Sequence, residues 1–399
     1  MKTRKRAGAL ALALVMALSA LSGCGNKNPA SSSGSGAGSS AAGSAGDSSQ
    51  VTPMDLSGVT DPYLAAAGIA GDTVVLKVGG SEVTAASLLY WLNRAIDNYL
   101  SQFGGQMTTL PWDSMIDETT TMGQYMLDQA VDAAAYYRTI RLLAGEKSLS
   151  PDPEAAAGVD QEFGDMAAQL GSEEAVNHML WAQMLTRELL ISLNQDSSLY
   201  TQLSQKYLEE NGDPTDAEVN AYLEETGQYR AKHILLTTID LNTREPLDAE
   251  TIARKKATAD DLLSQLRAAE DPIALFDELM NQYSEDTGLA ANPEGYTTSR
   301  GEMVAPFEEA ALALKDGEIS GVVESDFGYH IILRLPLDPD TFRSECSNYR
   351  FSQMVEQRQE QLGVERTDAL AKLDVGAFWD NMRSIQAAAQ AEIQAAGKG

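Results

Sequence analysis

The 399-residue chain is short of positive charge, of cysteine, of histidine and of long apolar runs, and each shortage closes off a class of function. It sets 29 Lys and Arg against 58 Asp and Glu, a formal net charge of −29. No basic patch is available to neutralise phosphates, which excludes nucleic acid as a natural partner. An acidic surface favours solubility and an electrostatic preference for basic chains, and it disfavours lying flat on an anionic membrane. Two cysteines, Cys24 and Cys346, give no disulfide framework, so stability has to come from burial, and a chain this long has room for two or more cores. Cys346 lies among helix-forming residues and reads as a small buried or half-buried side chain. The three histidines are His178, His233 and His330. None has the ligand spacing of a zinc site, and no nucleophile-elbow pattern accompanies them. Gly79-Gly80 reads as a hairpin turn and not as a phosphate cradle.

The N-terminus carries Lys2, Arg4, Lys5 and Arg6 and then an apolar run from Ala7 to Ala20. That run is too short to span a bilayer as a stable helix, and residues 1–23 read as a signal peptide. Leu21-Ser22-Gly23-Cys24 resembles a bacterial lipobox, a signal whose cleavage leaves the cysteine first in the chain and carrying lipid. The resemblance implies lipidation of Cys24 and a membrane-anchored protein facing the extracytoplasmic side. An ordinary secretory signal with an incidental cysteine is the alternative, and it too places the mature chain outside the cytoplasm. Residues 24–70 read as the lipidated cysteine and a tether. From Ser31 to Gln50 nearly every residue is Gly, Ser or Ala, and the tether as a whole reads as a flexible coil with an end-to-end distance of roughly 30–40 Å.

Folded structure is expected from about Gly71. Thr73 to Val78, Gly79-Gly80 and Ser81 to Val83 read as a hairpin. Thr84 then caps a helix carrying Leu88, Leu89, Trp91, Leu92, Ile96 and Leu100. Further helical runs are predicted at about 118–146, 152–170, 173–194 and 197–210, completing a helical domain over 71–228. Thr215-Asp216-Ala217-Glu218 is a capping box. Beyond it the pattern changes to a strand over 230–238, a helix over 249–269 after Asp248, and a helix opened by Asp271-Pro272. A short helix over 306–314 and strands near 321–325 and 328–335 follow. This order fits an α+β fold, with helices packed on a small antiparallel sheet. Residues 339–361 are helical again, and a last helix holds Phe378, Trp379, Met382 and Ile385.

His233 sits in Ala231-Lys232-His233-Ile234-Leu235-Leu236, and His330 in Phe327-Gly328-Tyr329-His330-Ile331-Ile332-Leu333. Both runs read as buried central strands, so two histidines on neighbouring strands converge in one sheet. Between them, in order, come Ser284-Glu285-Asp286, Arg300-Gly301-Glu302-Met303, Pro306-Phe307-Glu308 and Lys315-Asp316-Gly317-Glu318-Ile319-Ser320. The two histidine runs and the four motifs between them, in this order, resemble the parvulin family of peptidyl-prolyl cis/trans isomerases over about a quarter of the chain, here placed at 229–337. Prolyl isomerisation breaks no bond. Its barrier is the ~18–20 kcal/mol of amide resonance, and a catalyst has only to bind the twisted amide better than either planar form. No metal, cofactor or nucleophile is required. The resemblance implies a proline pocket of Met303, Phe307 and Phe327, with His233 and His330 back to back behind it and Ser325 in their network. It places Asp286 near the substrate carbonyl, where desolvation is expected to raise its pKa. A strand histidine is also an ordinary core residue, and the pair can tune the site without touching substrate. His178 reads as a surface or core histidine.

Two features depart from the family. The loop from Thr237 to Asp248 carries Asp240, Glu245 and Asp248 against one Arg244, where parvulins that prefer phosphorylated targets have a basic cluster. This implies unphosphorylated targets. In Pro293 to Thr298, Tyr296 is a candidate to fill part of the pocket and Thr298 stands where an aromatic is expected. The hairpin and helix that open the 71–228 region resemble the N-terminal domain of PrsA/SurA-type foldases. That family implies that residues 338–399 return to the N-terminal domain, making the parvulin domain an insertion in one helical body. The expected function is an anchored foldase for unfolded or partly folded secreted polypeptides containing X-Pro. The alternatives are a chaperone or holdase whose parvulin domain is only a binding scaffold, and a solute- or peptide-binding lipoprotein, which lacks the expected doubly wound halves.

Overall fold

Order begins earlier than the sequence suggests. The computed structural model describes residues 51–101, 107–241 and 243–396, so the signal peptide, Cys24 and the Gly/Ser/Ala run lie outside the described residues. Asp61 caps α1 (Pro62–Ala67) by accepting from the N–H groups of Tyr63 and Leu64. Leu56, Tyr63 and Ala66 are buried, which corrects the tether boundary at 70. A single six-residue helix is too short to show periodicity, and only its cap is visible in the sequence.

β1 (Val74–Val78) and β2 (Ser81–Thr84) form the expected hairpin, with Gly79 and Gly80 both at positive φ as a primed two-residue turn requires. α2 (Ala85–Ser101) follows directly, then α3 (Met122–Glu146), α4 (Glu154–Leu170), α5 (Glu173–Trp181) and α6 (Arg187–Asn211). The run expected over 173–194 is broken before Arg187. Met184 turns the chain there at φ 54° with its side chain fully buried, and no Gly or Pro marks the break. Core burial, not a local signal, holds this turn.

α7 (Asp216–Thr226) starts at the Thr215/Glu218 capping box and stops at Gly227 in the left-handed region. Next come β3 (Tyr229–Thr237), α8 (Ala249–Ala268), α9 (Pro272–Tyr283), β4 (Tyr296–Thr298), α10 (Ala305–Ala313), β5 (Val323–Ser325) and β6 (Gly328–Leu335). The four strands form an antiparallel sheet in the order β4-β3-β6-β5. Ile234, Leu236, Tyr329, Ile331 and Leu333 face α8 and α9, with Leu262, Leu266, Phe276 and Met280. Tyr229, Ala231 and Ile332 face α10, with Phe307 and Ala311. β3 and β6 are thus covered on both faces, which explains their unbroken apolar character. Gly328 lets β6 approach β3: a Cβ there would lie 2.1 Å from the Leu236 carbonyl oxygen.

α11 (Arg343–Leu362) leads to β7 (Val364–Arg366), which pairs with β1 to give a three-stranded sheet β2-β1-β7. α12 (Val375–Ala396) buries Phe378, Trp379, Met382 and Ile385 in one core with Leu88, Ile96 and Met126. The molecule is therefore a helical body built from both ends of the chain, with an α+β unit inserted between them. One unit holds the described residues through Asn211 and from Arg350 onward; the other is Gly212–Tyr349. The second is wider than 229–337 because Val219 and Leu223 of α7 pack with Cys346, which is 1% exposed.

Candidate active site

The site is assembled on the α10 face of the four-stranded sheet. His233 lies opposite Ile332 and His330 opposite Leu235, so the two histidines are diagonal neighbours on one face. After α9, the run Ser284-Glu285-Asp286 is stitched to β3. The Leu235 N–H donates to Ser284 Oγ (3.1 Å), the Glu285 N–H to the Leu235 carbonyl (2.8 Å), and the Thr237 N–H and hydroxyl to Glu285 Oε2 (both 2.7 Å). Lys255 pairs with the same Glu285 carboxylate. This stitching delivers Asp286 to His233.

A single hydrogen-bonded chain results. Asp286 Oδ2 is 3.0 Å from His233 Nε2; His233 Nδ1 is 3.1 Å from His330 Nδ1; His330 Nε2 is 2.7 Å from Ser325 Oγ. The Phe327 N–H donates to Ser325 Oγ (3.1 Å) at one end. At the other, the Tyr296 hydroxyl donates to Asp286 Oδ2 (2.5 Å) and the Gly288 N–H to Asp286 Oδ1 (3.0 Å). Burial acts to raise the Asp286 pKa, but the hydrogen bonds from His233, Tyr296 and Gly288 outweigh it and hold the carboxyl well below its usual range. The raised pKa expected from desolvation alone is corrected: desolvation is visible in a sequence, and the three donors are not. The His330 pKa is pushed down to about 4 by burial and by His233, against a smaller upward pull from Asp286. The Tyr296 hydroxyl is pushed up to about 12 by burial and by the adjoining Asp286.

These states fix the direction of the chain. An ionised carboxylate only accepts, so His233 donates from Nε2. With both rings neutral, His233 Nδ1 accepts from His330 Nδ1–H, and His330 Nε2 accepts from the Ser325 hydroxyl. A proton added at His233 Nδ1 reverses the Nδ1–Nδ1 bond and turns His330 Nε2–H towards Ser325. The chain accommodates either state without breaking.

Phe307 is 3% exposed and sets its ring edge-on to His233 (5.2 Å, 81°) and to His330 (5.5 Å, 71°). Half-buried Met303 packs against the same cluster. Phe327 is half-buried at the tip of the β5–β6 turn, tied by its backbone to Ser325 and Thr238, and is not among the side chains packed on that cluster. The structure thus brings His233, His330, Asp286, Ser325, Met303 and Phe307 together, with Phe327 beside them through its backbone. Thr298 is buried and donates to Glu302 Oε2 (2.7 Å), which also accepts from the Ser299 N–H (2.9 Å). The threonine therefore clamps the loop that leads to Met303.

Residues 233–335 match the family described as Rotamase: PPIC-type PPIASE domain. Peptidyl-prolyl cis-trans isomerase Pin1 of Malus domestica is 38% identical over 112 residues, 27% of this chain and 93% of that protein. The chain belongs to the parvulin-type peptidyl-prolyl cis/trans isomerases. It is also similar to Foldase protein PrsA of Bacillus subtilis, 33% identical over 135 residues, 33% of this chain and 39% of that protein. Foldase protein PrsA of Halalkalibacterium halodurans is 27% identical over 239 residues, 57% of this chain and 64% of that protein. The chain spans less than two thirds of the length of either PrsA relative.

Sequence reasoning missed one member of the parvulin site, the Tyr296 donor, reading that residue as a pocket filler. Tyr296 reaches Asp286 because β4 pairs it with Ala231 beside His233, and a three-residue edge strand leaves no pattern to read. His178 belongs to the helical body: it is buried, tilted against Trp181, with Nδ1 2.8 Å from Glu392 Oε2.

Proposed function

We propose that this parvulin is a lipid-anchored foldase on the extracytoplasmic side of the cell membrane, isomerising X-Pro bonds in unfolded or partly folded secreted polypeptides. The basic and apolar N-terminus, the lipobox-like Leu21 to Cys24 and the similarity to PrsA foldases support this reading. The observation that carries the catalytic part is the closed chain Ser325–His330–His233–Asp286 set against Phe307. Met303 and Phe307 would hold the pyrrolidine ring, with Phe327 at the rim. As the amide twists, conjugation breaks and its carbonyl oxygen loses negative charge. An ionised Asp286 near that oxygen disfavours the planar forms more than the twisted one, which is the differential binding catalysis needs. The histidines act as positioning residues that hold the carboxylate.

Unphosphorylated targets suit the charges around the sheet. The 238–248 loop closes on itself through the Ile239–Pro246 bridge and is net acidic. Lys232 is paired with Asp277, Lys255 with Glu285 and Arg334 with Asp316. The test is exchange spectroscopy on Ala-Pro, Glu-Pro and phospho-Ser-Pro peptides with the full chain. Acceleration of the first two with no gain from phosphate is expected. Suppression of client aggregation with no acceleration of any peptide would leave only the scaffold reading. Cys24→Ala is expected to move the protein from the membrane fraction to the soluble one.

A further inference from the structure

A polar cavity of about 70 Å³ opens in the helical body where the start of α2 meets α3 and α6. Its charged lining residues are Arg138, Arg141 and Asp196. Arg141 is engaged by two of its nitrogens: its Nε pairs with the buried Asp196 carboxylate, and its Nη2 donates to the Ser192 carbonyl (2.9 Å) and hydroxyl (2.8 Å). Asp196 is thereby neutralised. Arg138 lies three residues away on the same face of α3, lines the same cavity, and has no hydrogen bond or ion pair among the described residues. Burial and the neighbouring Arg141 lower its pKa, and the Asp196 and Glu82 carboxylates pull the other way without making a hydrogen bond to its guanidinium. Ser87 and Tyr137 line the cavity as well, and the hydroxyl of neither makes a hydrogen bond among the described residues.

The lining therefore sets two guanidinium groups against one carboxylate, and of these three side chains Arg138 alone has no hydrogen bond among the described residues. A cavity this size holds several water-sized groups, since one water needs roughly 10–15 Å³ by the same kind of measure. A carboxylate fits it. A single net charge suits a monoanion, and the guanidinium fork matches the two oxygens of a carboxylate.

We propose that this cavity binds one carboxylate of an extended peptide, gripped by Arg138 and completed by the Ser87 and Tyr137 hydroxyls. That the carboxylate arrives on a peptide rests on the foldase reading above. It belongs either to an acidic side chain or to a chain end, and the two share their chemistry.

Calorimetric titration of the full chain with three versions of one proline-free peptide tests this. The first has a free C-terminus and neutral side chains, the second an amidated C-terminus and one internal Glu, the third an amidated C-terminus and Gln in its place. At least one of the first two binds at least tenfold more tightly than the third, and which one does names the source. Arg138→Gln abolishes that difference without lowering the melting temperature, and Arg138→Lys, which keeps the charge but not the fork, restores it in part. Equal affinity for all three peptides, no binding of any, an unchanged Arg138→Gln, or stronger competition by inorganic phosphate than by acetate would each overturn the proposal. X-Pro isomerisation by the same variants is expected to be unchanged. Failure of the foldase reading would appear there, and failure of this one in carboxylate-independent binding.

Discussion

At the scale of single residues, the site depends on keeping one carboxylate ionised and oriented. Asp286 Oδ2 takes two donors, His233 and Tyr296, and the tyrosine is the one not required by the histidine relay. Tyr296→Phe should let the Asp286 pKa rise, visible in a carboxyl ¹³C titration. A fall of about tenfold in kcat/KM is expected, the equivalent of roughly 1.4 kcal/mol, within the range of a hydrogen bond to a charged group. An unmoved carboxyl titration would show that the phenol is only a wall of the pocket. His330 makes a second prediction. Its pKa is about 4 folded against 6.5 unfolded, so between these values the unfolded chain binds the extra proton. Stability from this group is complete above pH 6.5 and is lost as pH falls towards 4, by roughly 3 kcal/mol. Asp286, also depressed, loses its share below its ordinary value of 3.8. In His330→Asn the melting temperature of the inserted unit should fall less steeply between pH 6.5 and 4 than in the parent.

At the scale of elements, α10 has two tasks that a sequence cannot separate. It closes one face of the sheet through Phe307 and Ala311 and carries one wall of the site. Phe307→Ala is therefore expected to cost about 3–5 kcal/mol and to lose activity with stability. Met303 is half-buried in the loop before α10, so Met303→Ala should lower turnover while the melting temperature moves little. Parallel melting and exchange measurements on the two variants decide between these outcomes. β3, β6, α8 and α9 were legible because two-sided burial writes unbroken apolar runs and Asp248 and Asp271 announce their helices. β4 and β7, of three residues each, were not, because their partner strands define them. The turn at Met184 was hidden for a similar reason: tertiary burial sets it. In the site, the two histidines and the Ser-Glu-Asp run stood out as motifs, but the Tyr296 bond and the sign of the Asp286 shift exist only once β4 is laid against β3.

At the scale of the whole molecule, the chain leaves the helical body at α6, builds the parvulin unit, and returns through α11, β7 and α12. The return is part of the body's core and not an appendage. α12 buries Phe378, Trp379, Met382 and Ile385 against α1, α3 and α5, and the Trp379 indole donates to the Thr108 carbonyl (3.0 Å). Removing a buried Phe or Trp side chain alone costs about 3–5 kcal/mol, and a domain holds only about 5–15 kcal/mol in total. A chain ending at Leu373, which keeps β7, should therefore lose the folded helical body. The unit Gly212–Tyr349 has its own core on both faces of its sheet and needs nothing from α12. Calorimetry of the truncated chain should show one transition lost and the other kept, with isomerisation of a short X-Pro peptide unchanged. Client protection should disappear with the lost transition if the body is the part that holds unfolded chains. A truncated chain that melts like the full one would mean that α12 does not hold the body together, and that β7 alone returns the C-terminus to its start.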